Sequence, residues 1–105
     1  MSRLNVEHGF IEYRVAPGRT CEIVDIAVEA ERRGRGHGRK LVEAVFAAVA
    51  GRVDLVYAIT RADNRIAQEF YEHLLFRVIG VLREFYSECG AVDAVVYGRS
   101  PRGPI

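Results

Sequence analysis

The chain has 105 residues, which is room for one domain with a single core and no more. Half of them are hydrophobic and 28% are charged, the balance of a folded globular protein and not of a disordered one. A formal net charge of +1 supplies no global field for nucleic acid or a membrane surface, and no apolar run near the N-terminus matches a signal peptide or a membrane span, so a cytoplasmic location with neither partner is expected.

Residues 3–28 read as strands. Phe10, Ile11, Tyr13 and Val15 are followed by the turn signal Ala16-Pro17-Gly18-Arg19 and then by a β-branched run over residues 20–28, the pattern of a hairpin. Cys21 lies in that run. It and Cys89 follow no metal-ligand spacing, so free thiols and no metal site are expected. A dense glycine and arginine segment over residues 32–40 leads directly into Leu41, Ala44, Val45, Ala48 and Val49 at helical spacing, with Gly51 as the C-terminal stop. Residues 53–60 are an apolar run long enough for a buried strand.

Asp63 and Asn64 are capping residue types, and Ile66, Phe70 and Leu74 recur at intervals of four, which predicts a second helix buried through those three. Tyr71, about 100° around the helix from Phe70, falls toward the edge of that stripe, where a hydroxyl can face a ligand. Residues 78–86 and 91–99 read as two strands joined at 87–90, and residues 100–105 as a loose, turn-rich tail, which puts the domain at 1–99. Strand pairs at both ends with two strand-helix units between them predict an α+β architecture, one sheet with helices on its faces.

The segment Arg33-Gly34-Arg35-Gly36-His37-Gly38-Arg39 lies between a strand and a helix, where free backbone N–H groups and the positive end of the helix dipole converge. Glycines let the main chain approach a pyrophosphate closely, and arginines add charge-assisted bonds to its outer oxygens. On that pattern alone, a flexible basic loop on a solvated face fits as well. The spacing is neither that of a P-loop, which needs Gly-Lys-Ser/Thr, nor that of a dinucleotide fingerprint; it is Arg33-x-x-Gly36-x-Gly38.

With Glu22-Ile23-Val24-Asp25-Ile26-Ala27-Val28 before that loop, and Asn64 and Phe70-Tyr71-Glu72-His73-Leu74-Leu75-Phe76 after it, the chain resembles the GNAT N-acetyltransferases from about Gly9 onward. Phe85-Tyr86 and Asp93-Ala94 resemble more closely the branch of ribosomal-protein alanine N-acetyltransferases. The resemblance implies a mixed, mostly antiparallel sheet with helices on both faces, lacking the family's usual first strand and first two helices. It implies acetyl-coenzyme A as co-substrate, no metal, and an amine acceptor. It also places the pantetheine arm against the backbone of Ile26, Ala27 and Val28, the pyrophosphate at Arg33, Gly34, Arg35, Gly36, His37, Gly38 and Arg39, and the coenzyme arm near Asn64, which is equally suited to capping the helix.

By the same resemblance Tyr71 is the general acid for the departing thiolate. The general base of the closest branch falls on Ile59, which cannot accept a proton. Glu22 matches the base of the histone-acetyltransferase branch, and strand alternation would put it on the face of Val24 and Ile26, although a surface glutamate fits there as well. His8, His37 and His73 carry no base motif, and Leu75 stands where the family has glycine. The absence of the front helices implies an acceptor site open to a large substrate or completed by a second copy in a homodimer. A protein or peptide N-terminal α-amine is the favoured acceptor, because it is partly deprotonated at neutral pH where lysine is not. The alternatives are a coenzyme A-binding regulatory or scaffolding domain without turnover and, less favoured, a nucleic-acid-binding module built on the arginine cluster.

Overall fold

The structure, a computed structural model, describes residues 1–87 and 90–102. Three strands open it as an antiparallel meander: β1 (Ser2–Val6), β2 (Gly9–Ala16) and β3 (Thr20–Val28). A 3₁₀ turn at Ala30–Arg32 leads to α1 (His37–Val49), and then come β4 (Leu55–Arg61), α2 (Arg65–His73), β5 (Arg77–Tyr86) and β6 (Val92–Arg99). The six strands lie in the order β1-β2-β3-β4-β6-β5, and only β3 and β4 pair in parallel.

The architecture is the mixed α+β one expected, but the helices, expected on both faces, share one. The β3-α1-β4 and β4-α2-β5 crossovers run in the same direction across the sheet, and right-handed crossovers of one direction place their helices on one face. Packing agrees with this. Leu41, Val42, Val45 and Val49 of α1 are buried in one cluster with Ile11, Tyr13, Cys21 and Ile23 of the sheet, each such side chain contributing roughly 1.5–3 kcal/mol. Tyr71 of α2 stacks on Tyr97 of β6, their ring centroids 6.2 Å apart, and Phe46 of α1 stacks on Phe76 at 6.0 Å. The other face carries Leu55, Ile79, Ile59 and Val96 with no helix of the described residues over them; a Cβ built on Gly98 would meet Ile79 and Leu55 there.

In α2 the buried stripe differs from the expected one. Ile66 is 84% exposed, while Tyr71 and Leu74 are buried and Phe70 is half-buried. The first turn of this nine-residue helix borders an open cleft that Ile66 lines, so packing runs through positions 67, 70, 71 and 74. Tyr71 therefore sits inside the stripe and not at its margin.

Leu75 does not disturb the end of α2; it adopts the conformation a glycine would take there. Its φ is 66°, its amide donates to the Glu72 carbonyl at 3.0 Å, and the Phe76 amide donates to the Tyr71 carbonyl at 3.0 Å. These two bonds satisfy the last helix carbonyls, with Leu75 in the left-handed position that favours glycine. Cys21 is a free, buried thiol whose pKa is raised by burial. Arg102 closes a turn onto the Ser100 hydroxyl at 3.2 Å. The expectations for Cys89 and for the tail at Gly103, Pro104 and Ile105 lie outside the described residues.

The left-handed strain at Leu75 predicts that Leu75→Gly raises stability by up to about 1 kcal/mol. A urea titration reads this as a higher midpoint at unchanged slope, and a lower midpoint would overturn the account.

Candidate active site

The site begins where a ladder stops. β3 and β4 pair from Thr20↔Leu55 to Ile23↔Ala58 and no further. In the pairing of β2 with β3 the register shifts so that Tyr13 opposes Ile23 and Glu12 opposes Asp25, which leaves Val24 as an extra, bulged residue. Beyond it β3 remains paired with β2, but the edge of residues 26–28 that faces β4 has no strand partner. That edge, the loop after it and the first two turns of α2 enclose a cleft of about 500 Å³.

Of the residues expected at the cofactor, Ile26, Ala27, Val28, Arg33, Gly34, His37, Gly38 and Asn64 line this cleft. Arg35 and Gly36 in the same loop, and Arg39 in the first turn of α1, do not line it. Gly36 is the N-cap of α1 with φ 85° and no side-chain cap, and Lys40 is the first residue whose amide reaches back, to the Gly36 carbonyl at 3.1 Å. The amides of residues 34–39 find no acceptor among the described residues. Such a run of free donors, together with the positive end of a 13-residue helix, fits a pyrophosphate. Arg33 serves partly as scaffold, its Nε donating to the Val28 carbonyl at 3.1 Å. Gly38 has a packing reason to be glycine: a Cβ there would lie 2.7 Å from the Phe70 ring, so it lets α1 and α2 touch at the cleft floor. His37 packs edge-on against His8, whose Nδ1 lies 2.7 Å from the Glu29 carboxylate.

Tyr71 lines the cleft from α2 and is 5% exposed. Its hydroxyl makes no hydrogen bond among the described residues, and its pKa is pushed well above the ordinary tyrosine value, by burial first and by the negative charge of Asp25 second. Asn64 acts as the cap, its Oδ1 accepting from the Ala67 amide at 3.0 Å, while also lining the cleft, so the two roles coexist.

A second cavity of about 250 Å³ opens through the gap between the parted strands and shares Ile26, Asn64, Ala67 and Tyr71 with the first. Asp25 and Val24 of β3, Ile59, Thr60 and Arg61 of β4, and Tyr86 of β5 line its remaining walls. Arg61 pairs with Asp63 at 3.0 Å and lies over the Tyr86 ring, 5.1 Å from its centroid.

Glu22 is not brought to either cavity. The bulge at Val24 breaks the alternation, so Ile26 opposes Ile11 on the helix-covered face, while Glu22 opposes Arg14 on the other and forms an ion pair with it. Asp25 and Thr60, which neither motif nor spacing singled out, stand where Glu22 was expected. The only signal for Asp25 was an acid in a β-branched strand that also carries Glu22, and strict alternation directed attention away from it.

The profile of the acetyltransferase (GNAT) family matches residues 8–76. No curated protein matches the sequence significantly. Among solved structures, a GNAT-family protein from Desulfovibrio desulfuricans superimposes with a TM-score of 0.82 at 27% identity, covering 90% of this chain and 62% of that one. Ard1 from Thermoplasma volcanium gives 0.76 at 26% identity, over 89% of this chain and 62% of its own. The ribosomal-protein alanine N-acetyltransferase from Escherichia coli gives 0.72 at 26%, over 89% and 61%. The chain thus spans less than two thirds of the length of these similar proteins. With the profile spanning well over half of the sequence and the fold matching, this chain belongs to the GNAT acetyltransferase family.

Proposed function

We propose that this protein transfers an acetyl group from acetyl-coenzyme A to a primary amine, preferring the α-amine of a peptide or protein N-terminus. The observation that supports this most directly is the junction at Tyr71, where a cleft suited to a pyrophosphate and an extended arm meets a second cavity. The amine enters from the second cavity as ammonium and loses one proton to water. Its lone pair then forms the C–N bond at the thioester carbonyl carbon, and the C–S bond breaks with its electron pair on sulfur. Sulfur takes the Tyr71 proton, and the proton still in excess on nitrogen restores the phenol. One proton is released in each turnover. A phenol held protonated by burial is suited to donating and not to accepting at neutral pH.

The acceptor preference rests on deprotonation. Ile59 lines the second cavity, so the position where the ribosomal-protein alanine N-acetyltransferase branch carries its base offers no acceptor for a proton. At neutral pH roughly a tenth or more of an α-amine is free, against less than about one part in a thousand for a lysine side chain. The Escherichia coli protein, named for acetylating alanine of a ribosomal protein, lends support to the same acceptor class. Tyr86 forms one wall of the cavity; Phe85, expected beside it, does not. Ile59 also favours a second function, coenzyme A binding without turnover, for which binding without acetyl transfer to any amine would be the mark.

A thiol-release assay with acetyl-coenzyme A tests the proposal. A free-N-terminus peptide lacking lysine should react faster than an N-terminally blocked lysine peptide, and Tyr71→Phe should lower kcat at least about tenfold with little change in coenzyme affinity. Because the Tyr71 pKa is raised, no alkaline loss of kcat from this group should appear below the ordinary tyrosine pKa of about 10. Full activity of the variant, or faster reaction of the lysine peptide, would overturn the corresponding assignment.

Gly36→Val forces a β-branched residue into a left-handed conformation at the end of the free amide run, at a local cost of about 1–2 kcal/mol. Calorimetry should show coenzyme A affinity at least about tenfold weaker with the far-UV spectrum unchanged. Equal affinity would remove the loop from the cofactor site.

The homodimer expected from the sequence is also proposed here, supported by the uncovered sheet face, on which Ile79 and Leu82 are 45% and 39% exposed. Light scattering at high concentration should return twice the monomer mass, and a monodisperse monomer would rule the dimer out.

A further inference from the structure

Resting on acetyl transfer through Tyr71, we propose that Asp25 binds the ammonium group of the acceptor in the second cavity and so selects a cationic primary amine over neutral nucleophiles. Asp25 is the one carboxylate among the described residues that line either cavity. It has no hydrogen bond or ion pair among the described residues, whereas nearby acids are engaged: Glu22 with Arg14, Asp63 with Arg61, and Glu12 with Arg3 at 3.7 Å. Asp25 is exposed at the cavity wall, so its carboxylate is open to an incoming cation.

Its position has a structural cause. The bulge at Val24 turns Asp25 to the face opposite Ile26, so the acid meets the second cavity while the next residue meets both that cavity and the cofactor cleft. The charge of Asp25 is felt at the Tyr71 hydroxyl, which places the two groups in one electrostatic neighbourhood. The groups facing Asp25 are Glu12 across β2, Arg61 and Ile59 on β4, Tyr71 on α2 and Tyr86 on β5. Arg61, the cation among them, is held by Asp63 and stacked over Tyr86. An ammonium entering the cavity beside Asp25 meets its carboxylate on β3, with Tyr86 forming another wall. Its proton departs to water from that position, and its nitrogen lies at the gap that leads to the cofactor cleft.

The test separates recognition from turnover. Calorimetry on the wild-type protein saturated with coenzyme A should show a free-N-terminus tetrapeptide binding about tenfold or more tighter than its N-acetylated form. Asp25→Asn should abolish that difference without changing coenzyme A affinity, and Asp25→Glu should restore part of it. In the thiol-release assay Asp25→Asn should raise KM with a smaller effect on kcat, and the defect should narrow between pH 7 and pH 9 as the peptide amine, of pKa about 7.7 to 8.0, loses its charge. Equal binding of the free and acetylated peptides to the wild type, or an unchanged preference in Asp25→Asn, would overturn the proposal whatever the turnover. A wild type that distinguishes the peptides but releases no thiol would leave ammonium recognition standing and refute acetyl transfer instead.

Discussion

Everything that bears on function follows from the parting of β3 and β4. Parallel strands in a closed sheet would satisfy each other along their length; here the ladder ends at Ile23↔Ala58, while β3 continues through Val28 and β4 through Arg61. The extra residue at Val24 is the local cause, since a bulge bends and twists the strand that carries it. On the gap side the main-chain groups of residues 26–28 have no strand partner, although the Val28 carbonyl accepts from Arg33. Such groups require a partner, and an extended amide-bearing ligand can provide it as a strand would.

The phenol of Tyr71 at the gap is held in place by the end of α2. The Tyr71 carbonyl accepts from the amides of both Leu74 and Phe76, at 3.1 and 3.0 Å, so the backbone under the phenol is fixed by the helix stop itself. The ring is wedged between Phe76, 5.2 Å away, and Tyr97. Tyr97 is anchored in turn by donating to Glu72 at 2.7 Å, and burial first and then this bond push its pKa up to about 12. Ordering of this kind is achieved during folding and does not have to be repeated when substrate binds. The close approach of Gly38 to Phe70 links the start of α1 to the helix that carries the phenol.

How much of this could be read beforehand depended on the range of the interactions concerned. Strand runs, the glycine loop, the Asn64 cap and the Gly51 stop are local, and each appeared close to its expected place. The helix face of α2 was misassigned because Ile66, apolar and in phase with Phe70 and Leu74, lines the open cleft and not the core. The shared face of the two helices is a property of crossover direction, which no local pattern encodes. Glu22 lies in the part of β3 still laddered to β4, opposite Tyr57, while the bulge puts Asp25 on the same face as Glu22 but beyond the end of that ladder; nothing in the run Glu22-Ile23-Val24-Asp25 marks Val24 as the residue that breaks the alternation.

The outcome is an electrostatic division across Tyr71. The cofactor cleft is lined by Arg32, Arg33, His37 and free amides, with no carboxylate among its described lining, while the adjoining cavity contains Asp25. Two charged partners of opposite sign can therefore approach from opposite sides without competing for the same groups. Electrostatic complementarity of this kind acts mainly on encounter and orientation, and less on raw affinity. The phenol between the two sides carries no charge at neutral pH, since burial and the neighbouring Asp25 both oppose its ionisation. Its neutrality keeps the junction from favouring either partner, and it retains the proton that the proposed reaction passes to a departing thiolate.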